Sequence, residues 1–443
     1  MNMKKKILIL SVAAVCITAQ GQTLEECWRA AEQNYPLIRQ YDLIEKTKLL
    51  TLANIQKGWL PQVSAQAQAT YQSDVTAWPD EMKTMMTGMG VDMKGLKKDQ
   101  YRIAVDVQQT IYDGGTISNQ KTIALEQANV QSAQTEVNLY AVRRRVNEMY
   151  FSLLMLEEQM QLNRDLQELL AGNERKLKAM VKGGTAAESD WKNIRAERLN
   201  VVQQSTTLES QKRMLTAMLY TFCGFAPLSA PERLRVGELC SGMGATLVKP
   251  AIVSPSGGEG GARPEMRLFD AQLRLTDAQE QGLKSALMPR LGIFAQGYYG
   301  YPGLNMFQDM MRHRWSLNGM IGARLTWNIG ALYTHKNDKA KLQLQRQLTE
   351  TNRDVFLFNN RLEQIQQQEE IARYRKLMAD DEEIIALRSA VRKAAESKLA
   401  HGIIDVNDLV REINQENAAR VQRSIHEIEM LKEIYDNKFT TNN

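Results

Sequence analysis

Four segments of the chain alternate between apolar and polar residues. Alternation with a period of two predicts β-strands whose two faces meet different surroundings. The alternating part of each segment has about 10 to 13 residues, the length of a tilted strand that crosses a bilayer. We therefore predict four membrane-spanning strands, at about 61–76, 100–112, 289–301 and 315–328. Two surface hairpins on a soluble domain are the alternative that this pattern leaves open.

Aromatic residues stand near the ends of these four segments, at Tyr71, Tyr101, Tyr299, Trp315 and Trp327. Tyr and Trp are enriched where a membrane protein meets the lipid head groups. These five residues are therefore predicted to lie at the membrane interface and to contact outer membrane lipid.

Two longer tracts carry apolar residues at alternating steps of three and four, which is typical of coiled-coil helices. No proline lies between Pro79 and Pro227 or after Pro302, so long uninterrupted helices are allowed. We predict two long antiparallel α-helical coiled-coil hairpins, at 115–222 and 330–437, each with its apolar stripe as its seam. The first stripe is Leu139, Val142, Val146, Met149, Leu153, Leu156 and Met160, and the second is Val355, Phe358, Leu362, Ile365, Ile384, Leu387, Val391 and Ala394.

The two halves of the chain repeat one set of motifs in the same order. Asn34-Tyr35-Pro36 and Trp59-Leu60-Pro61 match Arg263-Pro264 and Leu287-Met288-Pro289, and Tyr112-Asp113-Gly114-Gly115 matches Trp327-Asn328-Ile329-Gly330. Both pairs of prolines have the same spacing. A repeat of this length indicates two copies of one supersecondary plan. We predict a first repeat at 22–226, a linker at 227–262 that is rich in Pro and Gly, and a second repeat at 263–443.

The N-terminus predicts a secretory signal peptide at 1–21, because three lysines precede an apolar run and the small residues Ala19 and Gly21. The net charge of +5 includes those lysines, and the remaining charges are intermixed, so no nucleic-acid partner is predicted. The histidines have no metal-ligand spacing and no nucleophile-and-base pair is visible. Neither an enzyme, nor a metal site, nor a cofactor is predicted.

Sulfur-containing residues offer two further hypotheses. Beyond the signal peptide, Cys27, Cys223 and Cys240 show neither paired disulfide spacing nor a zinc pattern, so they are predicted to be small buried apolar side chains. Methionines crowd the loops between the strands. They are Met82, Met85, Met86, Met89 and Met93 in one loop and Met306, Met310 and Met311 in the other. Thioethers bind soft ions such as Cu(I), but methionine also fills irregular apolar spaces.

Four strands cannot close into a barrel, because the smallest bacterial membrane barrels have about eight and open edges cannot face lipid. Three chains would supply twelve strands around a threefold axis. We therefore expect an internally duplicated α+β membrane protein that forms a trimeric 12-stranded β-barrel, continuous with a periplasmic α-helical barrel. The alternative is a periplasmic coiled-coil adaptor or scaffold protein without a channel.

From Leu24 to about Phe439 the order of these motifs resembles the TolC-like outer membrane efflux family. The resemblance implies a homotrimer in the outer membrane of a Gram-negative cell, with a large periplasmic extension. It implies passive export of substrates that an inner-membrane pump of the resistance-nodulation-division type delivers through a periplasmic membrane-fusion adaptor. Drugs, metals, lipids and polypeptides all remain open as substrates.

The resemblance also assigns candidate site residues at the two hairpin turns. The adaptor contacts are Gly183, Gly184, Thr185, His401, Gly402 and Ile403, and the periplasmic gate comprises Asp408, Asp405, Asp190 and Arg411. The glycines are also explained by the tight helical reversal alone. Arg411 stands where the best-known gate pattern has a second acid. Either Asp405 supplies that carboxylate, or Arg411 pairs with Asp408; a helix cap is the structural alternative for the aspartates.

Overall fold

The computed structural model describes residues 24–92, 94–225 and 263–441. The predicted signal peptide, the predicted linker at 227–262, Met93 and Cys240 lie outside the described residues. The chain divides into two compact units, which are described separately. The helical unit comprises Met1–Arg39, Thr135–Met266 and Asp354–Asn443, and the sheet unit comprises Gln40–Gln134 and Arg267–Arg353. Each unit takes segments from both halves of the sequence, so the units do not coincide with the two repeats.

From the helix before each pair of strands onwards, the elements follow the same order in the two halves, as the internal duplication predicts; the first half has one further helix, Leu24–Asn34, before them. The first half contains α1 (Leu24–Asn34), α2 (Arg39–Gln56), β1 (Gln62–Tyr71), α3 (Asp80–Gly88), β2 (Asp99–Tyr112), α4 (Thr116–Lys182) and α5 (Glu188–Cys223). The second contains α6 (Pro264–Ala286), β3 (Arg290–Tyr301), α7 (Met306–Arg312), β4 (Ser316–Thr326), α8 (Ala331–Ala400) and α9 (Val406–Thr441). Both halves therefore place two strands, separated by a short helix, before a long helix and its returning partner.

The sheet unit holds one antiparallel sheet of 4 strands in the order β1-β2-β3-β4. The pairing of β2 with β3 joins the two halves of the sequence, and a bulge interrupts its register between Thr110 and Tyr112. Strand β1 ends at Tyr71 rather than near residue 76. Beyond the strand, the Oδ1 atom of Asp74 accepts a hydrogen bond of 2.9 Å from the N–H of Val75, which bends the chain away.

The start of α4 explains the motif at 112–115. The carboxylate of Asp113 accepts hydrogen bonds from the N–H of Ile117 at 2.6 Å and from the N–H of Gly115 at 2.8 Å, so it caps the helix. Gly114 has a φ of 67°, and a Cβ there would lie 2.5 Å from the Cβ of Met288. A side chain at position 114 would therefore strain the turn and clash with the chain just before β3.

Two of the long helices, α4 with 67 residues and α8 with 70, continue without a break. Their length agrees with the two uninterrupted tracts that the sequence predicted. None of the helices within the described residues is both long enough and apolar enough to cross a membrane.

The two predicted apolar stripes differ in their surroundings. In the first hairpin the stripe is buried, with Val146 at 0% and Leu153 at 5% exposure, as predicted for a seam. In the second hairpin Phe358 is 63% exposed and Leu387 60% exposed, so the prediction that this stripe is a seam within the hairpin was wrong for one chain. The other members of that stripe that remain exposed are Val355, Leu362, Ile365, Ile384 and Val391.

Candidate functional site at the two hairpin turns

The first turn joins α4 to α5. Gly184 has a φ of 75°, and the next residue, Thr185, donates its N–H to the carbonyl oxygen of Met180 at 2.9 Å. The hydroxyl of Thr185 donates to the same oxygen at 3.1 Å. A Cβ at Gly184 would meet nothing within 4 Å, so its positive φ rather than close packing favours glycine there.

The second turn, between α8 and α9, has the same backbone design. Gly402 has a φ of 69°, and Ile403 donates its N–H to the carbonyl oxygen of Lys398 at 2.9 Å. The Nδ1 atom of His401 lies 2.7 Å from the carbonyl oxygen of Ser397. Ile403 is 70% exposed, so this turn presents an apolar side chain that the first turn lacks.

The gate aspartates lie at the first turns of the two returning helices, where a carboxylate stabilises the helix N-terminus. In α5, the Oδ2 atom of Asp190 accepts a 3.3 Å hydrogen bond from the N–H of Ala187. In α9, the Oδ1 atom of Asp405 accepts from the N–H of Asp408 at 2.8 Å, so Asp405 is the helix cap. Asp408 itself lies 3.0 Å from the Nη2 atom of Arg411. Within one chain, the alternative in which Asp408 and Arg411 pair is therefore the one that forms.

Contacts between α5 and α9 bring the regions of the two turns together. The side-chain nitrogen of Asn193 lies 3.4 Å from the Oδ1 atom of Asn407, and Asn414 donates to Glu197 at 2.9 Å. Below these polar contacts one apolar cluster takes residues from α4, α5, α8 and α9. Its buried members are Leu166, Leu170, Leu177, Ile194, Val201, Ala395, Val406, Leu409 and Ile413. Both turns are thus anchored on a common core.

A buried ionic network that the sequence did not indicate lies beside this core. Glu416, 5% exposed, accepts hydrogen bonds from Arg392 and from the Nη2 atom of Arg420, the latter at 2.8 Å. Burial alone would raise the pKa of Glu416, but the hydrogen bonds from Arg420 and Arg392 lower the pKa below its ordinary value. The same residues line a cavity of about 240 Å³ together with Leu162, Asp165, Leu166, Leu169, Ile413 and Asn417. Arg420 lies four residues after Glu416, but Arg392 lies 24 residues before it, so no local spacing signalled the pairing with Arg392.

The sheet has two chemically different faces. One cross-strand row of the apolar face is Val63, Val107, Ala295 and Ile321, and a row of the polar face is Ser64, Asp106, Gln296 and Met320. Ile321 is 83% exposed, so the apolar face is open in a single chain. On the polar face, Asp106 accepts hydrogen bonds from Gln66 at 2.9 Å and from Gln296 at 2.5 Å.

The aromatic residues mark both ends of the sheet. Tyr71, Tyr101, Tyr299 and Trp315 stand at one end, where Trp315 stacks with Tyr101 at a centroid distance of 6.1 Å and contacts Tyr299 at 5.4 Å. Trp327 follows β4 at the opposite end and donates to the carbonyl oxygen of Leu287 at 2.9 Å. Near that end, Tyr112 is 48% exposed, an aromatic residue that the sequence analysis did not select.

The methionines of the two loops differ in how far they are buried. Met310 is 3% exposed and packs in a small apolar cluster with Leu96 and Tyr301. Met85 and Met89 are 61% and 62% exposed on or next to α3. Met310 therefore fills apolar space, as the alternative to metal binding proposed.

Part of the sequence matches a known protein family, and the fold matches solved structures. Residues 30–224 match the model of the outer membrane efflux protein family. No curated protein matches the sequence. Among solved structures, the chain is similar to the outer membrane channel CmeC of Campylobacter jejuni, with 12% identity and a TM-score of 0.64, covering 94% of this chain and 85% of that chain.

Two further outer membrane proteins have the same fold. The MtrE outer membrane channel of Neisseria gonorrhoeae, in its open state, gives a TM-score of 0.62 at 12% identity and covers 94% of this chain and 88% of its own. The outer membrane protein VceC of Vibrio cholerae gives a TM-score of 0.61 at 11% identity, with 94% coverage of both chains. The family match covers residues 30–224, and the likeness to the three solved structures shows that the chain has their fold.

Proposed function

We propose that three copies of this chain form the exit duct of a tripartite efflux or secretion system. Each copy would contribute its four strands to one 12-stranded barrel and its long helices to a periplasmic tunnel. Substrates would pass through the duct passively, and the energy would come from an inner-membrane pump. A periplasmic adaptor would join the pump to the duct.

The observation that carries this proposal is the sheet of the sheet unit. Its order leaves β1 and β4 with one strand partner each among the described residues. An apolar, exposed face suits lipid, but an open strand edge in lipid leaves backbone groups without hydrogen bonds. Pairing β4 of one copy with β1 of the next supplies those bonds. The polar face, with Asp106 and its glutamine partners, would then line a water-filled interior.

The exposed stripe of α8 supports the same assembly. Apolar side chains spaced at three and four residues along a helix bury area when they meet a second helix. Within one chain this stripe remains open. A neighbouring copy of the chain is the partner with the required length and periodicity, so we assign the stripe to contacts between copies.

The hairpin turns would form the periplasmic end of the duct. There the threefold axis would set three Asp408–Arg411 pairs around one aperture, with Asp405 and Asp190 close to the same helix ends. Arg411 offsets the charge of each carboxylate, so this gate would repel anions less than a ring of aspartates alone. The exposed turn residues, Ile403 among them, would contact the adaptor.

Single-channel recording in planar bilayers tests this proposal. The purified protein should run as a trimer and insert, with low conductance. The double variant Asp408→Ala with Asp190→Ala should conduct more, because it removes two of the carboxylates that we place at the narrow periplasmic end. Glu188→Ala, which removes a 67% exposed carboxylate of the same turn, should behave like the wild type. Absence of trimers or of any channel would overturn the duct and favour a periplasmic scaffold.

A further inference from the structure

The fold brings together two cysteines that lie 196 residues apart in the sequence. Cys27 belongs to α1 and is 0% exposed, and Cys223 is the last residue of α5 and is 5% exposed. The Sγ atom of Cys223 lies 3.6 Å from the carbonyl oxygen of Cys27, and the two thiols are hydrogen-bonded to each other. The sequence prediction of small buried side chains was right about burial and missed the pairing.

The surrounding contacts hold these two segments together. Asn34, at the end of α1, donates hydrogen bonds to the carbonyl oxygens of Thr221 at 3.1 Å and Phe222 at 3.2 Å. Tyr35 stacks on Phe222 at a centroid distance of 5.6 Å. Gly224 has a φ of 70°, and a Cβ there would lie 2.4 Å from the side chain of Asn34. The approach of α1 to the end of α5 is therefore built from polar, aromatic and backbone contacts that do not involve sulfur.

We propose that Cys27 and Cys223 form a disulfide in the mature protein. This proposal rests on the proposed place of the chain in the outer membrane, because paired thiols are oxidised outside the reducing cytosol. Both thiols lie in one compact unit. This bond goes beyond the export function, because it concerns how the first helix of the mature chain is fastened.

The reaction balances as two thiol–disulfide exchanges with a small or protein disulfide donor. In the docked state the hydrogen bond between the thiols raises the pKa of Cys27 and lowers the pKa of Cys223. Before docking either thiol can react first, and the same steps follow if Cys223 does. Its thiolate attacks one sulfur of the donor, forms a mixed disulfide and releases one donor thiolate. Cys27 loses its proton and attacks the sulfur of Cys223, which releases the second. The two cysteine thiols are oxidised, and the donor disulfide is reduced to two thiols.

The burial of the two thiols determines at which stage the thiol–disulfide exchange can take place. A donor cannot reach thiols that are 0% and 5% exposed, so the exchange precedes the final docking of α1 or accompanies its opening. Once closed, the disulfide is shielded from reducing agents for the same reason. It fastens the start of the mature chain to the end of the first hairpin.

Peptide mapping of the full-length protein tests the proposal. Cells are quenched with acid and N-ethylmaleimide before lysis, and the protein is digested without reduction. A linked peptide pair containing Cys27 and Cys223 is expected, which reduction separates into its two halves. The variant Cys240→Ser should give the same linked pair, because Cys240 takes no part. Without reduction, Cys223 should become alkylated only in Cys27→Ser.

Two results would overturn the proposal. The first is alkylation of both Cys27 and Cys223 in the unreduced wild type. The second is a linked peptide that joins Cys240 to either of them. The wild-type map decides the matter even where Cys27→Ser does not accumulate. Because mapping does not depend on conductance, a failed duct and a failed disulfide are told apart.

Discussion

The two long hairpins share one periodicity but differ in what covers their apolar stripes. In the first hairpin the stripe is closed within the chain, and Val146 is 0% exposed. In the second, Phe358 is 63% exposed on a stripe with the same spacing. Heptad spacing therefore predicts that a helix has an apolar face but does not predict which element packs against it. After duplication, the stripe of the first hairpin packs within the chain, and the stripe of the second is left exposed for contacts between chains.

The largest expected difference between the hairpins comes from placing one charge in the buried core reached by the first hairpin and one in the exposed stripe of the second. Leu170, 0% exposed, belongs to the buried core of the helical unit, and Leu387 is 60% exposed. Leu170→Asp should prevent folding, because an unpaired carboxylate would be buried. Leu387→Asp should fold with unchanged helix content but fail to form the proposed trimer. Circular dichroism measures the first property, and light scattering in detergent measures the second.

The same pair of variants can contradict the comparison. A trimeric Leu387→Asp protein would show that the stripe of α8 is not covered by a second copy. Leu399→Asp offers a matched control on the same helix, since Leu399 packs on the core of the helical unit and should behave like Leu170.

The buried ionic network of Glu416, Arg392 and Arg420 tests the second hairpin further, because all three residues lie on its helices α8 and α9. Replacing Glu416 by Gln should cost about 1.5–3 kcal/mol at neutral pH, since the buried Arg392 would lose one of its two carboxylate partners and keep only Glu396. The pKa of Glu416 is lowered in the folded state, so this stabilisation is complete above its ordinary pKa of 4.5. It is lost as the pH falls below that value, through the lower pKa of the folded state.

Denaturant unfolding of the wild type and of Glu416→Gln at several pH values measures this effect. The difference in free energy of unfolding between the two proteins should become smaller as the solution is acidified below pH 4.5. A difference that stays constant with pH would mean that Glu416→Gln loses stability through packing and not through charge. Glu188→Gln is the control, because its side chain is 67% exposed and its pairing with Lys192 should contribute little.

The smallest effects should come from the caps of the two returning helices. Asp405 accepts a hydrogen bond as the cap of α9, so Asp405→Ala should cost about 0.5–2 kcal/mol. The matching position of α5 is Ala187, which is extended, with a φ of −79° and a ψ of 151°, and carries no acceptor. Ala187→Ser should therefore stabilise the first turn by about 0.5–1 kcal/mol.

Hydrogen exchange of the amides in the two turns reads out both substitutions. Exchange should quicken at the second turn in Asp405→Ala and slow at the first turn in Ala187→Ser. Equal exchange in both variants and the wild type would show that caps do not distinguish the two ends.

The sequence predicts local features of this fold well. Strands followed from alternation and helices from heptad spacing, because both patterns depend on neighbours within a few residues. The sequence analysis gave a helix cap as the alternative to a gate role for the aspartates, and Asp405 is a cap. The end of β1 was missed, because Asp74 turns the chain by a side-chain hydrogen bond that propensity does not reveal.

Contacts between distant residues could not be predicted. Cys27 and Cys223 meet because α1 packs against the end of α5, and their spacing in the sequence does not predict this contact. Arg392 and Glu416 face each other across a hairpin whose length sets their register. The spacing of the α8 stripe does not show that it stays exposed within one chain. In each case the missing information is three-dimensional packing.

The pairing of β2 with β3 has a consequence for the order in which the protein is made. Backbone partners such as Val107 and Ala295 come from opposite halves of the sequence, so the middle of the sheet cannot form until the second half has been synthesised and exported. During that interval β2 has an unpaired backbone edge beside an apolar face, a combination that is prone to aggregation. Maturation of the sheet is therefore coupled to completion of the polypeptide, and shielding of the waiting β1–β2 hairpin becomes a requirement of biogenesis.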